Sequence, residues 1–252
     1  MAAIATLFLF LLGGALIVRF LLPQKNPLTR IWLGASLGVL LLMQLPALFA
    51  YAFSFSVKAH IAAIAALALL VTLCFFLRDR RALQPMRRED RSALLAVALV
   101  ALPLTAFSAY LQYTHMLMPR ANGSLWCGQS TYGDLCMHLS FITSMRDMPF
   151  PPAYNLLYGT PLAYPYLTDS LSTSMMLLGL PLNLAVIVPG TLLMALTYAG
   201  YMLLAREVLG NRHKAVAVCA ILFFLNGGLG FLYDFDMAGS DGFARVREIF
   251  TG

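Results

Sequence analysis

The fold is decided by residues 31–57, which read IWLGASLGVLLLMQLPALFAYAFSFSV and contain no Asp, Glu, Lys or Arg. A helix that crosses the hydrocarbon core of a bilayer needs about 20 mostly apolar residues, and this stretch exceeds that length. Residues 170–205 are equally free of these charged types. Two such stretches in one chain predict an all-α protein, a polytopic bundle of transmembrane helices.

The composition of the whole chain supports the same class. Of the 252 residues, 60% are hydrophobic and 11% are charged, against about 25% charged in an ordinary soluble domain. The mean hydropathy is +0.79. A soluble protein of this size needs more charge on its surface, so the composition argues against a soluble enzyme, a secreted module and a disordered chain.

About six spans are predicted from apolar runs of suitable length. The first is not typical of a cleavable signal peptide, because no cation precedes its apolar core and the first cation is Arg19. The predicted spans cover residues 2–22, 31–53, 59–77, 92–111, 184–205 and 215–233.

The charges are sorted by loop. The loops after the first, third and fifth spans hold 12 of the 17 Lys and Arg residues, and the run 78–91 contributes six of them. By the positive-inside rule these loops face the cytoplasm, which places the N-terminus and the large loop 112–183 outside. The net charge of +6 is therefore interpreted as a sign of topology and of attraction to membrane lipid. It is not interpreted as a nucleic-acid surface.

The large loop predicts two short helices. Residues 134–145 show helical apolar spacing at Leu135, Leu139 and Ile142, and the prolines of 149–152 end that helix. Residues 168–180 predict a second helix that is too short to span comfortably. We expect it to lie at the membrane interface or to pack against the bundle.

Two ionisable residues of the first loop helix share a face, because Asp134 and His138 are four residues apart. Asp134 is a candidate catalytic carboxylate, and the alternative is a capping role at the helix start, since Thr131 stands three residues earlier. His138 is a proton carrier or a structural hydrogen-bonding residue. One Asp and one His are too few for a metal site.

Cys127 and Cys136 lie in the same loop, and their spacing permits a disulfide without specifying one. No glycine-rich nucleotide motif and no zinc-type Cys/His spacing occurs. The sequence therefore predicts no nucleotide cofactor and leaves the use of a divalent cation open.

The loop motifs resemble those of the GT-C superfamily of polytopic glycosyltransferases, in particular an uncharacterised bacterial branch. The resemblance covers residues 131–235 and rests on YGD at 132–134, HL at 138–139, PFPP at 149–152, GTPLAYP at 159–165 and LTD at 167–169. It implies a bacterial plasma-membrane enzyme that takes its sugar from a polyprenyl-phosphate donor. Residues 92–252 then form the GT-C-like core, and residues 1–91 are an N-terminal addition that ends in the Arg-rich loop.

The resemblance also implies roles for individual residues. The superfamily places a catalytic acid in its first large external loop, where Asp134 stands. Transfer further needs cations at the leaving phosphate and aromatic rings against the sugar. The implied substrate-binding residues are His138, Arg120, Arg146, Tyr164, Tyr166 and Asp169. For the arginines, an ion pair within the loop is the alternative, since Arg146 adjoins Asp147.

Two other functions stay open at this stage. The family's frequent pair of adjacent acids is absent, which favours a non-catalytic scaffold or subunit with a membrane-protein partner. A transporter is the third alternative, but the predicted spans hold almost no ionisable residues. Superfamily members are usually longer, so the resemblance also implies that the chain is a partial one.

Overall fold

The computed structural model describes residues 1–128, 132–157 and 159–226, together with Ala244 and Arg247. Within these residues, five helices are long and apolar enough to cross a membrane. The protein is thus an all-α membrane bundle, as predicted. In chain order the α-helices are α1 (Ala2–Leu21), α2 (Pro27–Phe53), α3 (Val57–Phe76), α4 (Arg88–Leu111), α5 (Tyr132–Ser144), α6 (Leu167–Leu177), α7 (Leu182–Leu209) and α8 (His213–Phe224).

The sixth predicted span is only partly described. Helix α8 has 12 residues and overlaps the first part of this span, but it is too short to cross a bilayer. Residues 227–233 of the prediction lie outside the described part of the chain. The described residues therefore hold five spanning helices and one shorter apolar helix.

The long helices turn many apolar side chains outward. On α4, Leu95, Leu99 and Leu102 are each more than 60% exposed. A soluble protein rarely exposes a continuous apolar face of this kind. A lipid environment accounts for it, because apolar side chains meet hydrocarbon there instead of water.

Helices α1 and α2 touch through glycines. A Cβ atom at Gly14 would collide with the backbone of Gly34 and Gly38, and a Cβ atom at Gly38 would collide with the backbone of Phe10. Small residues four apart allow helix backbones to approach closely in membranes. The Gly34–Gly38 spacing therefore lets α1 and α2 pack backbone against backbone.

The loops divide between two ends of the bundle. At the loop end, defined by residues 112–183, the Phe55 amide donates to the Met148 carbonyl and the Ala3 amide to Leu178. At the arginine end, defined by residues 78–91, the Asp79 amide donates to the Phe20 carbonyl. The start of the chain and the α2–α3 turn thus lie at the loop end. The loops that follow α1 and α3 lie at the arginine end.

The large loop begins with irregular helix and a small hairpin. Helix α4 continues as a π-helical turn over Gln112–Met116. Strands β1 (Met118–Pro119) and β2 (Leu125–Trp126) then pair antiparallel.

Both short helices of the loop are present. Helix α5 agrees with the prediction for 134–145 to within two residues. Helix α6 packs against the bundle, because residues 169–175 are all buried. Its buried hydroxyls are satisfied: Thr173 Oγ1 donates to the Ile142 carbonyl at 2.9 Å and Ser174 Oγ to the Ser170 carbonyl at 2.8 Å. The packing against the bundle that was expected for this helix is therefore confirmed.

Candidate functional site

A cavity of about 650 Å³ opens at the loop end, between the π-helical turn, α5, α6 and α7. Its walls differ in polarity. One side carries Gln112, Asp134, His138, Thr168, Asp169 and Ser172. The opposite side is apolar and includes Val186, Pro189 and Leu193 of α7. An amphipathic cavity of this size at the end of a membrane bundle suits a ligand with a polar head and an apolar chain.

Two of the polar residues bind each other. His138 Nδ1 of α5 lies 3.1 Å and 3.0 Å from the two carboxylate oxygens of Asp169, on α6. Asp169 is only 6% exposed, while the His138 side chain is 33% exposed. Both residues line the cavity, and the imidazole is the more exposed of the two.

The pairing fixes how the imidazole presents itself. An ionised carboxylate only accepts hydrogen bonds, so Nδ1 is the donor. In the neutral ring, Nε2 is then the acceptor, and in the protonated ring Nε2 is a second donor. Burial raises the pKa of the Asp169 carboxyl, and the hydrogen bond from His138 opposes that rise.

Asp134 occupies the first turn of α5 and lines the same cavity. It is exposed, and no other described residue hydrogen-bonds its carboxylate. The structure thus brings Asp134 and His138 to one cavity, as their spacing predicts. The capping alternative depends on Thr131, which lies outside the described residues.

The α7 wall comes close because Gly190 has no side chain. A Cβ atom at Gly190 would collide with Gln112 Oε1. The Gln112 side-chain amide of the π-helical turn therefore lies against α7 at Gly190. A glycine in the middle of a helix weakens it, and here it makes room for a polar group.

The two predicted arginines are not in the cavity wall. Arg146 Nε lies 3.4 Å from Asp147 Oδ2, and both side chains are well exposed, so the ion-pair alternative describes Arg146. Arg120 stacks over the Trp126 ring at 4.4 Å. Its Nε is buried without a hydrogen-bond partner among the described residues. The Arg120 hairpin begins two residues after Met116, which lines the cavity.

The two predicted tyrosines line a different cleft. Tyr164 and Tyr166 face a second pocket, which they share with Gln44 and Tyr51 of α2. The Tyr164 ring also packs edge-on against the His138 ring, with centroids 5.6 Å apart. Tyr164 thus stands between the cavity and the second cleft.

The remaining predictions concern cysteines and metals. Cys127 and Cys136 are both free and exposed, so the disulfide that their spacing permits is not formed. No group of three or more His, Cys, Asp or Glu side chains that could hold a metal ion occurs in the described part of the chain.

Some cavity residues had no sequence prediction. Gln112, Ser172 and Gly190 line the cavity, but each is an unremarkable residue type in its local sequence. A weak signal existed for Ser172, which lies three and four residues after Asp169 and Thr168 and so shares their helical face.

The chain was compared with protein-family models, with curated proteins and with solved structures, and none of the three comparisons finds a match.

Proposed function

We propose that the cavity is the active site of a GT-C-type membrane glycosyltransferase, which transfers a sugar from a polyprenyl-phosphate donor. The observation that carries the proposal is the cavity itself. It sets Asp134 and the His138–Asp169 pair opposite an apolar wall of α7. A lipid-linked sugar has this same division into a polar head and an apolar chain.

The proton chemistry follows from the two ionisable groups. The acceptor hydroxyl oxygen attacks the anomeric carbon, and the bond from that carbon to the phosphate oxygen breaks. Asp134 takes the hydroxyl proton as general base. His138 in its protonated form is held by Asp169 and donates from Nε2 to the departing phosphate, which stabilises the charge that develops there.

The lipid part of the donor has a suitable path. An apolar groove of about 400 Å³ runs between α2, α4 and α7. It reaches α7 at Ala195 and Leu196, while the cavity reaches α7 at Leu193. The two spaces therefore reach α7 within one turn of each other, and the walls of the groove are apolar, as an isoprenoid chain requires.

The proposal includes the orientation in the membrane. The arginine end carries six arginines between residues 78 and 91, which favours the cytoplasm, so the cavity opens on the outer face. Cys127 and Cys136 provide a test, because both are exposed at the loop end. We expect a membrane-impermeant maleimide to label them in intact cells, and no labelling of a double Cys→Ser variant. Labelling only after lysis would reverse the orientation.

The catalytic test is Asp134→Asn, assayed with the purified full chain in liposomes and a panel of polyprenyl-phosphate sugars. We expect transfer to fall by roughly 10²- to 10⁴-fold, the usual contribution of a general base. Asp147→Asn is the matched control, since Asp147 is an exposed aspartate of the same loop that does not line the cavity. Equal transfer by the Asp134→Asn variant and the wild type would remove Asp134 from the mechanism.

A further inference from the structure

The second cleft has an unusual lining for a membrane bundle. It measures about 350 Å³ and lies between α2 and the segment that leads into α6. Three tyrosines, Tyr51, Tyr164 and Tyr166, surround it, and the side-chain amide of Gln44 lies deeper along α2. Seven residues of helix separate Gln44 from Tyr51, so the cleft descends by about 10 Å along α2.

Gln44 indicates that the cleft accommodates a polar ligand. It is the one side-chain amide of α2, in a stretch without any charged residue. Gln44 is exposed, and it forms no hydrogen bond with another described residue. An amide without hydrogen-bond partners is strongly disfavoured in hydrocarbon. A cleft that admits hydroxyl groups removes that cost.

The tyrosines complete the pattern. Their rings offer flat apolar faces, and their hydroxyl groups donate and accept hydrogen bonds. A pyranose ring has the complementary surface, with C–H groups on its faces and hydroxyl groups around its edge. A lipid chain would use the ring faces and leave the amide without a partner.

The position of the cleft matters as much as its lining. Tyr164 belongs to the cleft and packs against His138, which belongs to the cavity. The two spaces are therefore lined by side chains that contact each other. A transfer enzyme needs two substrates held side by side, so adjacent sites are expected.

We infer that the cleft between α2 and the 164–167 segment binds the sugar ring of the acceptor, a pyranoside. This inference rests on the proposed function, because it assigns the donor to the neighbouring cavity. It also brings α2, which lies in the N-terminal addition, into the substrate-binding site.

The experiment measures binding directly. The full chain in lipid nanodiscs is titrated with octyl glucoside, octyl galactoside and octyl mannoside, and saturation transfer to the ring protons is followed by NMR. An octyl polyoxyethylene detergent, which has the same tail and no sugar, is the reference. We expect ring-proton transfer from at least one glycoside. We expect its dissociation constant to rise about tenfold in Gln44→Leu and in Tyr51→Ala, the loss of roughly one good contact.

Tyr113→Ala is the matched control variant. Tyr113 is a similarly exposed tyrosine of the π-helical turn, and it does not line the cleft. If the tyrosines only anchor the protein at the membrane interface, the Tyr51 and Tyr113 variants will behave alike, which overturns the inference. The absence of ring-proton transfer from all three glycosides, or transfer that Gln44→Leu leaves unchanged, also overturns it. Methyl glycosides then distinguish a soluble acceptor from a lipid-linked one, since only a soluble acceptor's site will bind them comparably.

The Asp134→Asn variant separates this inference from the proposed function. Asp134 lines the cavity and not the cleft, so glycoside binding is expected to persist in that variant while transfer is lost. Glycoside binding by a wild-type chain that transfers sugar from none of the polyprenyl-phosphate donors would contradict the proposed function alone. The loss of glycoside binding in Gln44→Leu and Tyr51→Ala is measured without any donor, so that result does not depend on whether the protein transfers a sugar.

Discussion

Two buried aspartates stand at opposite ends of the bundle, and their surroundings differ. Asp90, at the arginine end, is 2% exposed, and Asp169, at the loop end, is 6% exposed. Asp90 accepts hydrogen bonds from Asn26 Nδ2, Arg206 Nη2 and the Arg87 amide. Asp169 is paired with His138 and borders a cavity.

The difference separates a structural charge from a candidate functional one. Around Asp90, an arginine, an amide side chain and a backbone amide share the carboxylate, which ties the α1–α2 loop to α4 and α7. Around Asp169, the partner is itself titratable and open to the cavity. A fully compensated charge holds helices together, whereas a partly compensated charge beside empty space is available to a ligand.

The largest expected effect is the loss of the Asp90 cluster. Asp90→Ala leaves Arg206 largely buried without its carboxylate, and breaking a buried pair in this way costs about 3–5 kcal/mol. Thermal unfolding in detergent, followed by circular dichroism, measures the change in the apparent free energy of unfolding. A loss of less than ~1 kcal/mol in the free energy of unfolding would mean that Asp90 stabilises the fold no more than an ordinary surface charge does. Asp90 and Asp169 would then no longer differ in this respect.

The next effect concerns activity and not stability. We expect Asp169→Asn to lower transfer by roughly 10²-fold, because the imidazole loses the carboxylate that accepts its Nδ1 hydrogen bond and holds its orientation. The melting temperature should change little. Ser170→Ala is the control, since Ser170 is a buried neighbour on α6 that does not line the cavity. A large loss of stability with unchanged specific activity would make Asp169 a structural residue like Asp90.

A smaller effect is expected in the pH dependence of stability. Burial raises the pKa of Asp169 in the folded state. The contribution of Asp169 to the free energy of unfolding is therefore fully present below the pKa that this carboxyl has in the unfolded chain. That contribution is lost as the pH rises through the raised pKa of the folded state. Compared with the Asp169→Asn variant, the wild type should gain stability as the pH is lowered from neutral into that window.

The check is the difference in melting temperature between the two proteins across that pH range. His138 and Asp134 are the other titratable groups that line the cavity with Asp169, so the comparison is repeated in His138→Gln and in Asp134→Asn. A difference that shrinks on acidification would contradict the direction of the pKa change.

The smallest effect is expected at an exposed pair of the arginine end. Asp79 Oδ2 lies 2.6 Å from Arg81 Nη2, and the hydrogen bond from Arg81 lowers the pKa of the Asp79 carboxyl. Solvent and salt screen exposed pairs of this kind. Asp79→Ala should therefore leave the melting temperature unchanged at low and high salt. A clear decrease in the melting temperature would mean that burial does not explain why Asp90 is expected to stabilise the fold more than Asp79.

Parts of the site could be predicted from local spacing. Asp134 and His138 fall on one face because both belong to one helix, and a four-residue spacing determines that relation. The pairing of His138 with Asp169 could not be predicted in this way. The two residues are 31 positions apart, and their contact depends on how α5 and α6 pack. The same holds for Tyr164 and Tyr166. Their aromatic character is evident from the sequence, but the cleft that they line is completed by Tyr51 of α2, which only the tertiary structure brings next to them.

The sequence by itself determined the membrane class, the long apolar helices and the sorting of charge between the two ends. These properties follow from composition and from periodicity within one helix, which local sequence carries in full. Only the tertiary structure decided which charges are paired, where the cavity lies and that α2 borders the second cleft. Those relations join residues on different helices, and the packing of small residues such as Gly34, Gly38 and Gly190 sets how closely the helices approach.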